Sequence, residues 1–193
     1  EKVLSKVSIT RLKKEYSSLI EWSKIFLTKQ GFSMLAGNQL TPTLLFPMER
    51  LFESYVAKYI KRVADIYSYT VSVQESRYWL FDTLNGESKA QFALKPDIVL
   101  RNQNDGCCIV ADTKWKKLSK SGRNYGISQA DLYQMFAYVK KYNAKEAWLL
   151  YPLSKGFDSM SALTFCSEDG VTVKVFFLDL IDIEKSLTCI FDK

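Results

Sequence analysis

The sequence contains no histidine. This absence excludes Ser-His-Asp and Cys-His catalytic arrangements, histidine-ligated zinc and histidine general bases. Any hydrolytic chemistry would have to use carboxylates, lysine, tyrosine and a hard metal ion. The sequence also has no P-loop and no dinucleotide-binding glycine fingerprint, so chemistry driven by a nucleoside triphosphate would have to come from another subunit.

Cysteine is scarce and unpatterned. The four cysteines stand at positions 107, 108, 166 and 189 with no Cys-x-x-Cys spacing, which favours reduced thiols. No apolar run is long enough to span a bilayer, and no signal peptide is visible. Together these absences predict a cytoplasmic protein that has no membrane partner.

The chain of 193 residues is long enough to bury the core of one domain, and its composition is that of a globular protein. Its formal net charge of +6 permits a polyanionic partner without requiring one. The first residue is Glu1 rather than methionine, so we expect the sequence to be part of a longer chain. We predict an N-terminal helix and connector over residues 1–45 and the main domain over residues 46–193.

One stretch near the middle of the chain holds the densest group of chemically useful side chains. Two short β-prone runs, Ile98–Leu100 and Cys107–Ala111, flank an Asn-Asp-Gly turn, which predicts a β-hairpin. If its loop has two residues, Asp97 faces Lys114; if its loop has four, Asp97 faces Asp112. Because side chains alternate along a strand, either loop gathers these three side chains on one face of the sheet.

Two carboxylates and an ammonium on a buried sheet need partners, because burying an unpaired charge is costly. Mg²⁺ takes one or two carboxylates together with water and phosphate oxygens, so Asp97 and Asp112 fit a magnesium site in which Mn²⁺ would substitute. Lys114 would then orient a water molecule or neutralise charge in the transition state. The alternative is an ordinary cross-strand ion pair on a solvated face.

Hydrophobic periodicity predicts helices and strands on both sides of this hairpin. The predicted helices span Ser8–Gln30, Pro47–Val63, Ser128–Tyr142 and, as a short segment, Ile181–Phe191. The other predicted strands span Tyr69–Val73, Tyr78–Phe81, Glu146–Tyr151, Thr164–Cys166 and Val171–Leu178. The turn residues of Gly37–Thr43 predict a connector, and the residues from Ser128 onward are typical of a capping box that opens a helix.

Two of these helices carry polar side chains at a spacing of four. Glu49 and Glu53 share one stripe, where like charges are mildly destabilising. Each glutamate either belongs to the site or lies on a solvated face near the helix N-terminus, where carboxylates are favourable. Gln134 and Tyr138 share a stripe on the later helix.

A basic loop follows Lys114, and its serine and glycine residues are typical of a mobile loop. The basic residues that we predict to contact phosphates are Lys116, Lys117, Lys120 and Arg123. The alternative is an ordinary solvated loop.

The order of these features resembles the PD-(D/E)xK nuclease superfamily. The resemblance rests on Pro96-Asp97, on Asp112-Thr113-Lys114, and on Gln134-x-x-x-Tyr138, which is similar to a helix motif of the RecB-like branch. It implies an α/β fold in which a mixed central β-sheet is flanked by α-helices, as in restriction endonucleases. It also implies that Lys114, Gln134 and Tyr138 serve the hydrolysis of DNA.

The same resemblance implies a set of Mg²⁺ ligands. These are the carboxylates of Asp97 and Asp112 and the backbone carbonyl of Thr113. The extra acid on the first core helix corresponds to Glu53 or, failing that, to Glu49.

A closer resemblance is to the McrC family, the endonuclease subunits of McrBC restriction systems. It rests on Leu44–Val56, Pro96–Val99 and Ala111–Lys116. It implies double-stranded DNA carrying 5-methylcytosine as the substrate and a McrB-like AAA+ GTPase as the partner, which contacts a region upstream of this sequence. If each nuclease domain cuts one strand, a double-strand break requires two of them, so dimerisation is also implied.

Two further functions fit the same residues. A RecB-like repair exonuclease would share the stripe of Gln134 and Tyr138 and would depend on DNA ends. A non-catalytic DNA-binding or interaction module of the same fold would bind DNA in a salt-sensitive manner without hydrolysing it. The complete set of two acids and a lysine favours the endonuclease.

Overall fold

A computed structural model of the chain describes residues 33–36, 39–42 and 47–192. The chain divides into two compact units, residues 1–47 and residues 48–193. The helix predicted over Ser8–Gln30 lies outside the described residues.

In the first unit, strands β1 (Ser33–Ala36) and β2 (Gln39–Pro42) pair in antiparallel orientation. The prediction of a connector over Gly37–Thr43 is therefore wrong for the residues of β2. Turn-forming residues on either side of a four-residue segment concealed a strand that is too short to show alternation.

Residues 48–192 of the second unit contain three α-helices and eight strands. The helices are α1 (Met48–Ile66), α2 (Gln129–Tyr142) and α3 (Ile183–Phe191). The strands are β3 (Tyr69–Val73), β4 (Tyr78–Leu84), β5 (Glu87–Leu94), β6 (Ile98–Asn102), β7 (Cys108–Thr113), β8 (Glu146–Pro152), β9 (Ala162–Cys166) and β10 (Thr172–Leu178). The helices and strands predicted in this unit are confirmed apart from their ends, and β5 was not predicted.

Six of the strands form one mixed sheet in the order β3-β6-β7-β8-β10-β9. Strands β7, β8 and β10 run parallel, whereas β3, β6 and β9 each pair in antiparallel orientation with a neighbour. Helix α2 makes the crossover that the parallel pair β7–β8 requires. Strands β4 and β5 form a separate hairpin. This arrangement confirms the predicted α/β fold, a restriction-endonuclease-like mixed sheet with helices on its faces.

Alternate side chains of the sheet enter two separate cores. Trp148 and Leu150 of β8 pack with the buried stripes of α1 and α3, whereas Leu149 and Tyr151 pack on the opposite face with α2. Every residue of β8 is buried, which explains why its sequence is apolar after Glu146. Among the described residues, no helix is both long and apolar enough to cross a membrane.

The β6–β7 hairpin fixes which residues meet near the site. Ile98 pairs with Ala111 and Arg101 pairs with Cys108. The Asn102 amide donates a hydrogen bond to the Cys107 carbonyl at 2.8 Å, so the loop has four residues, 103–106. Gly106 adopts a φ of 71° at the end of that loop, a conformation that glycine enters without steric cost. Extending the register by one residue from Ile98 brings Asp97 opposite the residue that follows Ala111, which is Asp112.

Candidate active site

Asp97, Asp112 and Lys114 lie together where β6 begins and β7 ends. Val99 and Val110, on the same face of the two strands, pack in the core beneath α2, and the alternation along each strand turns the three polar side chains toward that helix. Asp112 is only 3% exposed, and its carboxylate lies 2.7 Å from the Lys114 ammonium. The four-residue loop has thus brought the two acids, rather than an acid and the lysine, opposite one another.

The Lys114 ammonium is held by three acceptors. Besides Asp112, it donates a hydrogen bond to Gln134 Oε1 at 3.1 Å, and it lies 3.6 Å from a carboxylate oxygen of Asp131. Burial disfavours its charge, but the carboxylates of Asp112, Asp131 and Asp97 outweigh burial and raise the pKa of Lys114. Lys114 is therefore a protonated hydrogen-bond donor at neutral pH and not a general base.

Helix α2 supplies further polar side chains on this side of the sheet. Its N-cap is Ser128, whose hydroxyl oxygen accepts a hydrogen bond from the Asp131 amide at 3.3 Å, as the sequence predicted. Gln134 Nε2 donates to the Tyr138 hydroxyl at 2.8 Å, so Gln134 joins Tyr138 to Lys114. Burial is the main cause that raises the pKa of Tyr138 to about 12, and this phenol stays protonated.

Asp97 is anchored to the neighbouring strand. Its Oδ2 accepts hydrogen bonds from the Thr113 amide at 2.8 Å and from the Thr113 hydroxyl at 2.7 Å. Its Oδ1 lies 3.4 Å from Gln74 Nε2, and the same amide group donates to Glu53. Glu53 is thus connected to the site through Gln74, whereas Glu49 is exposed one turn earlier on α1.

The electrostatics of the site centre on Asp112. Burial raises the pKa of its carboxyl, the charge of Asp97 raises it further, and Lys114 opposes both, which leaves the pKa of Asp112 at about 6. A titratable group that is perturbed by burial together with a nearby charge is typical of a functional site.

Asp97 and Asp112 together suit a hard divalent cation. A bound cation would relieve the repulsion between the two carboxylates, and two carboxylates plus water are a donor set that Mg²⁺ accepts. Among the residues that the structure describes, no three acidic, cysteine or histidine side chains converge in a metal-binding cluster. The ligand roles of Asp97, Asp112, Glu53 and the Thr113 carbonyl stay predictions.

A pair of substitutions on α1 distinguishes the two glutamates. We expect Glu53→Gln to raise the Mg²⁺ concentration that cleavage requires by roughly 10- to 100-fold. A loss of metal affinity of this size is typical when a residue that supports a metal ligand is changed. Glu49→Gln, on the exposed face, should leave it unchanged. The measurement is the Mg²⁺ concentration that gives half-maximal cleavage, and the reverse ranking would place Glu49 at the site.

The basic loop after β7 presents its charges to solvent. The four residues predicted to contact DNA are all exposed, namely Lys116, Lys117, Lys120 and Arg123. Lys116 donates to the backbone oxygen of Gly126 at 2.6 Å, and the Lys120 ammonium lies 5.7 Å from the centre of the Phe157 ring. These contacts shape the loop, and its binding to phosphates stays a prediction.

Two side chains of the site were missed from the sequence. Gln74 lies immediately after β3 and outside the recognised motifs, and no pattern singles it out. In the sequence, Asp131 stands out only as the last residue of the capping-box pattern that begins at Ser128. In the structure it contacts Lys114 and accepts a hydrogen bond from the Tyr151 hydroxyl at 3.4 Å. Its position three residues before Gln134 could have revealed it, since residues at that spacing share a helix face.

Comparison with protein-family models identifies a family that the chain matches. The family model described as "McrBC 5-methylcytosine restriction system component" matches residues 1–152, and that range takes in both aspartates, Lys114 and the whole of α2. No curated protein matches the chain.

Proposed function

The chain belongs to the McrBC 5-methylcytosine restriction system component family, and from this membership and the site geometry we propose that it is the endonuclease subunit of such a system. The reaction is the Mg²⁺-dependent hydrolysis of DNA phosphodiester bonds. The observation that carries the proposal is the buried Asp112 carboxylate, which lies 2.7 Å from Lys114 on the same face as Asp97. The family match confirms the resemblance to McrC, whereas the chemistry remains our proposal.

Each residue of the site has a separate role in the proposed hydrolysis. When bound by Asp97 and Asp112, Mg²⁺ would polarise the phosphate and lower the pKa of a coordinated water molecule. Thr113 holds the Asp97 carboxylate in place through two hydrogen bonds. Lys114 stays protonated, so it can orient the attacking water and stabilise the negative charge that develops on the phosphate.

Gln134 and Tyr138 act by positioning Lys114. The Gln134 carbonyl accepts from the ammonium at 3.1 Å while the Gln134 amide donates to the Tyr138 hydroxyl at 2.8 Å. This chain of hydrogen bonds fixes the direction of the lysine before substrate arrives. Preorganised donors of this kind need no reorganisation during the reaction.

The partners follow from the family and from the sequence. We propose that a McrB-like AAA+ GTPase drives the reaction, because the chain itself has no P-loop. From the family description we propose double-stranded DNA containing 5-methylcytosine as the substrate. The exposed lysines and arginine after β7 would bind the DNA backbone. Cleavage of both strands would require two nuclease domains.

Metal removal tests this function directly. The chain, assembled with its GTPase partner, should cleave methylated circular plasmid in Mg²⁺ or Mn²⁺, and EDTA should abolish cleavage. Asp97→Asn should be inactive, and the matched control Asp65→Asn, an exposed position on α1, should cut at the wild-type rate. Equal cleavage by Asp97→Asn and wild type would refute the site. Cleavage of linear but not of circular DNA would instead identify an exonuclease.

A further inference from the structure

The β4–β5 hairpin carries an exposed aromatic cluster that the proposed chemistry does not use. Its members Trp79, Phe81 and Phe92 are 39%, 57% and 71% exposed. On the other side of the hairpin, Tyr78 and Leu80 pack against the core beneath α2. One face thus fixes the hairpin to the domain, while aromatic rings project into solvent, as they do at binding surfaces.

The backbone at Phe92 is held in a conformation that exposes its ring. Trp79 pairs with Ala93 and Phe81 pairs with Gln91, so regular alternation would turn Phe92 away from Phe81. Phe92 instead adopts a φ of 59°, and its ring meets the Phe81 ring edge-on with 6.2 Å between ring centres. A positive φ is unfavourable for a bulky residue, and such strain concentrates at functional sites.

The aromatic cluster lies close to the catalytic aspartates along the chain. β5 ends at Leu94, and Asp97 follows three residues later. Asp97 lies five positions after Phe92, so their Cα atoms are at most about 18 Å apart. One turn of B-DNA is about 34 Å long, and a single duplex can therefore contact both.

The charges around the cluster suit a polyanion. Arg77 and Lys95 flank the base of the hairpin and Lys89 lies on β5, all three exposed. The hairpin carboxylates are Asp82 and Glu87, and Asp82 is neutralised by a lysine of α2 at 2.9 Å. Exposed rings beside basic side chains are the combination with which proteins bind unstacked nucleobases, whereas an apolar protein partner would gain nothing from the cations.

We infer that Trp79, Phe81 and Phe92 form a DNA-stacking wedge, in which Phe92 packs against bases that are unstacked near the scissile phosphate. Insertion of an apolar side chain between base steps kinks the duplex and exposes more of it to the protein. The wedge would hold the duplex in register with Asp97 and Asp112. The inference rests on the proposed nuclease function for its substrate but depends on different residues.

The test uses a duplex that carries the fluorescent base 2-aminopurine, titrated with the complete chain in EDTA so that no cleavage occurs. Wild-type protein should raise the 2-aminopurine fluorescence. Phe92→Gly should abolish that rise and weaken DNA binding roughly tenfold, the effect of losing one stacked ring. Glycine accepts the positive φ, so this variant should melt no lower than wild type. Phe81→Ala should act in the same direction, and Ile181→Ser, at a position that is 98% exposed elsewhere, serves as the matched control.

The possible outcomes separate this inference from the proposed function. A fluorescence rise that is lost in Phe92→Gly and kept in Ile181→Ser supports the wedge. A rise of equal size in all variants overturns it, and so does a Phe92→Gly protein that binds DNA normally but no longer binds its GTPase partner. Asp97→Asn should keep the fluorescence rise while losing cleavage. If Asp97→Asn still cuts while Phe92→Gly has lost the rise, the catalytic assignment fails and the wedge stands.

Discussion

Asp112→Asn is expected to abolish cleavage and, in the absence of metal, to make the fold more stable. The substitution would remove one of the two carboxylates that we propose to hold Mg²⁺, and a bound metal ion contributes several kcal/mol of transition-state stabilisation, so cleavage should fall by roughly 10³-fold or more. The stability gain arises because the pKa of Asp112 is raised to about 6 in the folded chain, whereas an unfolded aspartate titrates near 3.9.

The size of this stability gain depends on pH. Between about pH 4 and pH 6 the folded chain binds more protons than the unfolded chain, so its stability falls as pH rises through that window. Above pH 6 the ionised Asp112 costs the metal-free fold up to about 3 kcal/mol, and asparagine removes that cost. The variant should therefore be more stable than wild type at pH 7.5, and the difference should vanish near pH 4.

Urea unfolding in EDTA at the two pH values measures the difference. Added Mg²⁺ should stabilise wild type at pH 7.5 and leave Asp112→Asn unchanged, because only the ionised pair of aspartates attracts the cation. Asp65→Asn, on the exposed face of α1, controls for the loss of an ordinary aspartate. A variant that is less stable than wild type at pH 7.5 would show that Asp112 serves the fold and not a metal site.

The central hairpin shows how far sequence reasoning reaches. The Asn-Asp-Gly turn and the two apolar runs predicted a hairpin that gathers Asp97, Asp112 and Lys114 on one face, and the structure confirms this. The choice between a two-residue and a four-residue loop stayed open, since both loops satisfy the alternation of side chains. The pairing of Ile98 with Ala111 resolves it, because register depends on contacts across strands that sequence spacing does not contain.

The features that could not be predicted from the sequence depend on long-range contacts or lie in solvent-exposed segments. Gln74 reaches Glu53 and Asp97 only because β3 and α1 meet at the same edge of the sheet, and glutamine carries no pattern that marks such a position. Strand β5 went unpredicted because nearly all its residues are exposed, so its polar sequence lacks the apolar alternation by which strands are recognised. Strand β5 is stabilised by its antiparallel pairing with β4 and not by burial of its side chains.

Lys114→Ala should be the second strongly impaired variant, and its defect should depend on Asp112. Removal of the ammonium that lies 2.7 Å from Asp112 deletes a preorganised donor, so cleavage should fall by about 10²- to 10³-fold. It also leaves a buried carboxylate without its nearest cation, which raises the pKa of Asp112 further. At pH 7.5 the fold should lose about 2 kcal/mol, because Asp112 must either stay charged without that cation or take up a proton.

The dependence on Asp112 is measured with a double-mutant cycle. In the Asp112→Asn background position 112 carries no charge that Lys114→Ala could leave unpaired, so Lys114→Ala should cost little stability there. The coupling energy between the two positions should therefore be about 2 kcal/mol at pH 7.5. The coupling should fade toward pH 5, where Asp112 is protonated whether position 114 holds lysine or alanine. Lys185→Ala, at an exposed lysine of α3, should show neither defect. Additive stability changes at pH 7.5 would mean that Lys114 and Asp112 do not share one electrostatic site, since a charge pair in direct contact cannot be removed one member at a time without coupling.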